Sequence, residues 1–292
     1  MNLLNKGTAL GDRWRVDNLL GQGTFGQVYE AFDLLERHGQ VAVKVESTQT
    51  GRHSLLPLER LLLVSVHNSR SRHLLALLAF DQCHALKLNY LVTKLCGPDL
   101  LRLRRSQPRQ RFDATATLTY AVQMVGAVRD LHQAGWLHRD IKSTNFCVDP
   151  VKADRLYLID FGLARPHFDS DGNPREPRTT AAFCGSCLHA SIATHLYQDI
   201  SRKDDLWSVF YITVENACGQ LPWQGISDKH KVMVIKTYTD FYALLSAHTN
   251  ISRVGSLLRF RQHLATLNYF SRPDYNQLIR LFNTDLLHTQ RP

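Results

Sequence analysis

Several things are missing from this chain, and each absence narrows the reading. There is no run of eighteen apolar residues, so no segment reads as a membrane span. The opening "MNLLNKGTALGDRW" has neither a long apolar core nor a small-residue cleavage site, so no secretory leader is expected. Cysteine is sparse: Cys83, Cys96, Cys147, Cys184, Cys187 and Cys218 are scattered along the chain. Without a leader, reduced thiols in a cytoplasmic protein, also present in the nucleus, are the expectation. Cys184 and Cys187 make one C-x-x-C in "FCGSC", but a structural zinc needs four ligands and no second pair has matching spacing. The histidines include no H-E-x-x-H. No repeat, heptad pattern or low-complexity tail is present.

What is present is ordinary for a globular protein. The 292 residues are 44% hydrophobic and 21% charged, enough to bury a sizeable core in two modest domains or two lobes. Net charge is +9, which favours acidic partners: a nucleotide, an acidic or phosphorylated peptide, a polyanion. The basic run "LRLRRSQPRQR" (101–111) has no interleaved aromatics to stack bases, so it reads as a solvated helix face and loop, with no specific nucleic-acid partner.

Up to about residue 95 the chain reads mainly as strands. "QVYEAFD" and "QVAVKVES" are rich in β-branched and aromatic residues, and "HGQ" with Gly39 suits the turn between them. "SLLPLERLLLVSV" reads as a helix with Ser54 as N-cap and Pro57 in its first turn. "LNYLVTKL" is a further strand, and Gly97-Pro98 then punctuates the chain. The remainder is mostly helical. "ATATLTYAVQMVGAVRDLHQAG" stops at Gly135, and "KDDLWSVFYITVENACG" looks buried and ends at Gly219.

The motifs decide between two uses of one glycine pattern. In "GQGTFGQVYE", Gly21, Gly23 and Gly26 stand at G-x-G-x-x-G spacing, shared by dinucleotide-binding turns and by hairpin flaps over ATP. The segment after Gly26 enters a strand through Val28, where a dinucleotide turn would enter a helix. "VAVK" then ends at Lys44 on the next strand-like run, from which a lysine can reach the α- and β-phosphates. "LHRDIKSTNF" places His138, Arg139 and Asp140 four residues before Asn145, and "LIDFG" supplies Asp160. That order is the motif set of a protein kinase. Asp140 would accept or orient the proton of a substrate hydroxyl. Lys142 would neutralise charge on the transferred phosphoryl group. Asn145 and Asp160 would offer Mg²⁺ the hard oxygens it prefers. Phe161 and Gly162 complete the triplet. Lys142 inside the loop suits serine/threonine kinases by resemblance.

The chain further resembles the casein kinase 1 family, in its tau-tubulin kinase branch. "HASIATH" stands where most kinases have A-P-E, and "RKDDLWSVFY", "GQLPW", "NYFSRPDY", "YEAFDLL", "LRRSQPR" and "FGLAR" look like that branch. The resemblance implies an α+β, bilobal protein-kinase fold: a small, mainly β N-lobe with one helix over 1–95, and a larger, mainly α C-lobe over 96–292. It implies a monomeric serine/threonine kinase using ATP and Mg²⁺ on protein hydroxyls, acidic or cytoskeletal substrates included. Leu20, Gly21, Gly23, Gly26, Val28, Ala42 and Lys44 would enclose the nucleotide. Thr93 would be the gatekeeper, Lys94 and Cys96 would meet adenine through backbone atoms, and Cys147 and Ile159 would line its floor and the metal side. Glu59 would pair with Lys44; Pro57 places it near the helix start, and the alternative is an exposed glutamate. Asp205 would brace the catalytic loop, or else cap its helix. Ser186 would place a hydroxyl near Asp140 and Lys142. Family members are often active without activation-loop phosphorylation, so Thr179 and Thr180 need not be switches.

Three departures stand out. Leu188 occupies the place of an arginine that helps bind a phosphate already on the substrate, Cys184 replaces another arginine, and Ala193 an asparagine. They support the alternative of a pseudokinase scaffold that binds nucleotide or partners without phosphoryl transfer, although no residue with a direct chemical role is missing.

Overall fold

The computed structural model describes residues 2–23, 26–36, 39–49, 54–67, 71–152, 154–249 and 255–289. Thr24 and Phe25 of "GQGTFGQVYE" lie outside them, as does His38 of "HGQ". The N-terminal part is a six-stranded antiparallel sheet in the order β1-β2-β3-β4-β6-β5. Its strands are β1 (Ala9–Leu10), β2 (Trp14–Gly23), β3 (Gly26–Asp33), β4 (Gly39–Ser47), β5 (Leu77–Cys83) and β6 (Leu88–Lys94). One helix, α1 (Leu56–His67), joins β4 to β5.

Alternation along β3 and β4 gives this sheet two different faces. Tyr29, Ala31, Val41, Val43 and Val45 point one way and bury a small core with Leu4, Leu10 and Trp14. Val28, Ala42 and Lys44 point the other way and are half-buried. The sheet thus has one face closed by its own core and one left for the cleft. β5 contains no β-branched residue, and its composition gives no strand signal; pairing with β6 through Phe80↔Leu91 and Asp81↔Tyr90 makes it one.

The C-terminal part is helical: α2 (Leu100–Arg105), α3 (Ala114–Gln133), α4 (Ile192–His195), α5 (Arg202–Cys218), α6 (Lys229–Tyr238), α7 (Phe241–His248), α8 (Gly255–Ala265) and α9 (Tyr275–Thr289). Short strands β7 (Trp136–Leu137), β8 (Phe146–Val148), β9 (Leu156–Leu158) and β10 (Arg165–Pro166) lie between α3 and α4. α3 begins where the Asp113 carboxylate accepts the Ala116 N–H at 2.7 Å, and ends at Gly135, whose φ of 87° favours glycine. Its inward stripe, Leu118, Ala121, Val125 and Val128, meets Leu206, Val209, Phe210 and Val214 of α5, which is buried on nearly every side. The same core takes in Leu56, Leu62, Leu63 and Val66 of α1, so that helix packs with the C-terminal part although the sheet surrounds it in sequence.

Two expectations need correction. Ser54 does not cap α1. Its hydroxyl instead donates to Glu46 of β4, and that carboxylate accepts the Leu55 N–H at 2.9 Å and the Leu56 N–H at 3.4 Å. A strand carboxylate reaches the free amides at the start of the helix, where the dipole also favours negative charge. The basic run around α2 is not wholly solvated either: Arg104 is buried, with its guanidinium 2.7 Å from Glu215 of α5.

Candidate active site

The glycine stretch lies on two paired strands, with Gly21↔Val28 and Gly23↔Gly26 between β2 and β3. A side chain at Gly21 or Gly23 would meet nothing within 4 Å. The backbone there faces open space into which phosphates could come close. Positive φ is needed only at Gly26 (φ 148°), where a Cβ would also stand 2.2 Å from the Val45 carbonyl oxygen. Beside the turn, Leu20 is half exposed. Ala42 pairs with Thr93, and Lys44 lies across from Val28 on one side and Leu91 on the other.

Lys44 is the point where three elements meet. Its ammonium lies 2.7 Å from Glu59 Oε2 on α1 and 2.9 Å from Asp160 Oδ1. Burial works against the charged lysine, but the two carboxylates outweigh it and raise its pKa. Glu59 sits in the first turn of α1, only two residues past Pro57, and is buried. Proline is tolerated there because the N–H it lacks has no partner within the helix. Burial likewise opposes the Asp160 carboxylate, and Lys44 holds its pKa below the ordinary value. Asp160 has φ 64°, so the left-handed turn of this triplet falls on the aspartate.

Asp140 is fixed from both sides. Lys142 Nζ lies 2.6 Å from its Oδ2, and the Ser186 N–H donates to Oδ1 at 2.9 Å. It is thus the backbone of Ser186, rather than the expected hydroxyl, that reaches the carboxylate. Asn145 donates its amide to the Asp140 carbonyl at 2.9 Å, which turns its own Oδ1 the other way. Its backbone carbonyl accepts the Ile159 N–H at 2.9 Å, so the chain before Asp160 runs alongside it. The Asp160 side chain is 41% exposed. One amide oxygen and one open carboxylate make a donor set suited to Mg²⁺. Cys147 lies on β8, buried, and Thr93, Cys96 and Ile159 are half-buried. Burial pushes the Cys96 thiol up to about 12 and raises Cys147 too, so both remain neutral. The Lys94 side chain points to Asp149 at 3.0 Å.

Two carboxylates hold this loop in place, and a third holds the segment after Asp160. Asp205 accepts the His138 N–H at 2.8 Å, the Arg139 N–H at 2.9 Å and His132 Nε2–H at 2.9 Å. It does not cap α5; there Asp204 accepts the Ser201 N–H at 2.8 Å. Burial opposes charge on Asp205, but His132 and the loop N–H groups hold its pKa low. Glu215 gathers Arg104, His189 Nε2 at 3.0 Å and Ser143 Oγ at 3.3 Å, linking α2, the catalytic loop and the segment before α4. Asp199 accepts from Arg165 at 3.0 Å and from Arg178 Nη2 at 2.7 Å, tying both ends of the segment after Asp160 to one buried carboxylate. Neither Glu215 nor Asp199 has a local motif. A charged residue inside the apolar run "YITVENAC" is the only sequence signal for Glu215.

This fold and this constellation are those of a protein kinase. Residues 14–281 match the protein kinase domain, and the chain belongs to that family. It is 35% identical over 280 residues to a probable serine/threonine-protein kinase of Dictyostelium discoideum, an alignment covering 95% of this chain and 54% of the relative. It is also 30% identical over 272 residues to the serine/threonine-protein kinase spe-6 of Caenorhabditis elegans, covering 91% of this chain and 70% of the relative. The chain therefore spans about half the length of the Dictyostelium relative. By these matches its class is protein serine/threonine kinase.

Proposed function

We propose that the chain is an active kinase that moves the γ-phosphate of Mg·ATP to serine or threonine hydroxyls of proteins, through a casein kinase 1-like, tau-tubulin kinase-like domain. The observation that carries this is Lys44 held between Glu59 and Asp160, a geometry a scaffold does not need. Lys44 would bind the α- and β-phosphates beneath the glycine turn. Asp140 orients the acceptor hydroxyl and takes its proton, and Lys142 beside it offsets negative charge that grows on the transferred group. Asn145 and Asp160 would hold Mg²⁺, which when bound neutralises phosphate oxygens. Leu20, Val28, Ala42, Cys147 and Ile159 would enclose the base, against the strand end at Thr93 and Lys94 and the stretch just past it at Cys96. The Arg165–Asp199–Arg178 ties order the segment with a carboxylate, which supports activity without a phosphate on Thr179 or Thr180.

The casein kinase 1 assignment rests on the long strings quoted above, and the net positive charge favours acidic substrates. Leu188 in place of arginine argues for substrates without a prior phosphate. Radiolabelled phosphate transfer to unprimed casein, with Asp140→Asn as control, tests the activity; transfer that survives in the variant would refute the role of Asp140. Leu188→Arg should raise activity on phosphate-primed peptides relative to unprimed ones, and an unchanged ratio would refute the specificity reading.

A further inference from the structure

Lys236 stands on α6, outside the motifs of the family, yet it is 2% exposed. A buried ammonium is costly unless its hydrogens are used. Here Nζ donates to the Cys187 carbonyl at 2.8 Å and the Ala190 carbonyl at 2.7 Å, and lies 3.2 Å from His195 Nε2. The rings of Tyr211 and Trp223 flank it at 4.9 and 5.3 Å. Such faces attract a cation. Burial pulls the lysine down, to about 7, and in either protonation state its N–H groups are spent on these carbonyls.

The two carbonyls belong to the segment that leaves the catalytic carboxylate. Ser186 is bonded to Asp140, and its own carbonyl accepts the His189 and Ala190 N–H groups at 3.1 and 2.8 Å, folding residues 186–190 into a turn. The Leu188 carbonyl accepts Trp223 Nε1–H at 2.8 Å, and His189 is held by Glu215. The Cys187 and Leu188 side chains remain half-buried at the surface. A protein whose hydroxyl reaches Asp140 must lay the residues beside that hydroxyl across this turn. We propose that Lys236 is a positioning residue for the protein substrate: it closes the open end of the 186–190 turn and sets the platform, with no part in nucleotide binding. The proposal rests on the kinase reading above for its consequence, though not for its structural half.

Lys236→Met is the test, because methionine keeps the packing against the rings and removes only the donors. The peptide KM, for an unprimed acidic serine peptide, should rise about tenfold. The KM for Mg·ATP should stay within about twofold. Amide hydrogen exchange over residues 186–190 should quicken at least about tenfold, while α5 exchanges as before. An unchanged peptide KM, equal rises in both KM values, or exchange quickened throughout the domain would each overturn the proposal. If the wild-type protein transfers no phosphate at all, the kinase reading fails. Exchange then decides alone: quickening confined to 186–190 keeps the strut, and its absence removes it.

Discussion

Asp205→Asn separates a brace from a cap with a single atom. Asparagine caps a helix about as well as aspartate, so a capping role predicts almost no effect. The structure predicts a large one. Asp205 is buried and receives three N–H groups: two from the catalytic-loop backbone and one from His132. Asparagine offers one oxygen and turns an NH₂ toward the rest. His132 can adapt, because its Nδ1 lies 2.7 Å from the Tyr275 hydroxyl and the ring can exchange tautomers. At least one buried backbone N–H then has no acceptor, at a cost of about 1–3 kcal/mol, and the remaining bonds lose their charge assistance. The sum is about 3 kcal/mol, which for a domain this large lowers Tm by roughly 6–12 °C. His138 and Arg139 precede Asp140 directly, so kcat should fall along with stability while the affinity for Mg·ATP changes little. Urea unfolding and a steady-state assay of the same preparation measure both. A variant within about 0.5 kcal/mol of wild type and fully active would refute the bracing argument.

Glu59→Gln removes one of the two negative charges that hold Lys44, and kcat should fall about ten- to a hundredfold, equivalent to about 1.4–2.7 kcal/mol of barrier; a change under twofold in phosphate transfer would show that the charged pair is not needed. Asp199→Asn should free Arg178, and trypsin should then cut after it many times faster than in the wild type; equal cutting would mean that the carboxylate does not order the segment. Acid should unfold the domain early. His132, His167 and His195 are buried, and burial lowers all three, His167 and His195 to about 4 against an ordinary 6.5. The unfolded chain takes up protons first, so this stability is complete above pH 6.5 and is lost as pH falls from there toward 4, at up to about 1.4 kcal/mol per pH unit for each histidine. A chemical-denaturation series flat between pH 7 and 5 would contradict it.

The parts legible in the sequence are those whose chemistry is written in a short stretch. The glycine turn, "VAVK", "HRDIKSTN" and "DFG" each lie within one turn or strand end, and their order defines the fold. Pro57 even places Glu59 in the first turn of its helix, as the structure has it. What was not legible depends on pairs far apart in the chain. Glu46 as the cap of α1, Asp199 between two arginines and Glu215 beneath His189 have no local pattern, because their partners come from other elements. β5 has no local signature for a related reason, since its strand character is imposed by its neighbour β6. Ser186 shows a third kind of limit: a motif can name the residue that touches Asp140 without telling its backbone from its side chain.

The Glu46 cap has a mechanical consequence. Lys44 and Glu46 are two residues apart on one strand and so project from the same face. One grips α1 through Glu59, the other through the amides at the helix start. A single pin would leave the helix free to swivel; two pins on one rigid strand do not. Swinging α1 outward would break the Lys44–Glu59 pair and uncap the amides held by Glu46, at a combined cost of about 4 kcal/mol or more. Fewer than roughly one molecule in a thousand would then rest with Lys44 parted from Glu59. The assembled posture of α1 is thus its resting one, set by two side chains of a single strand.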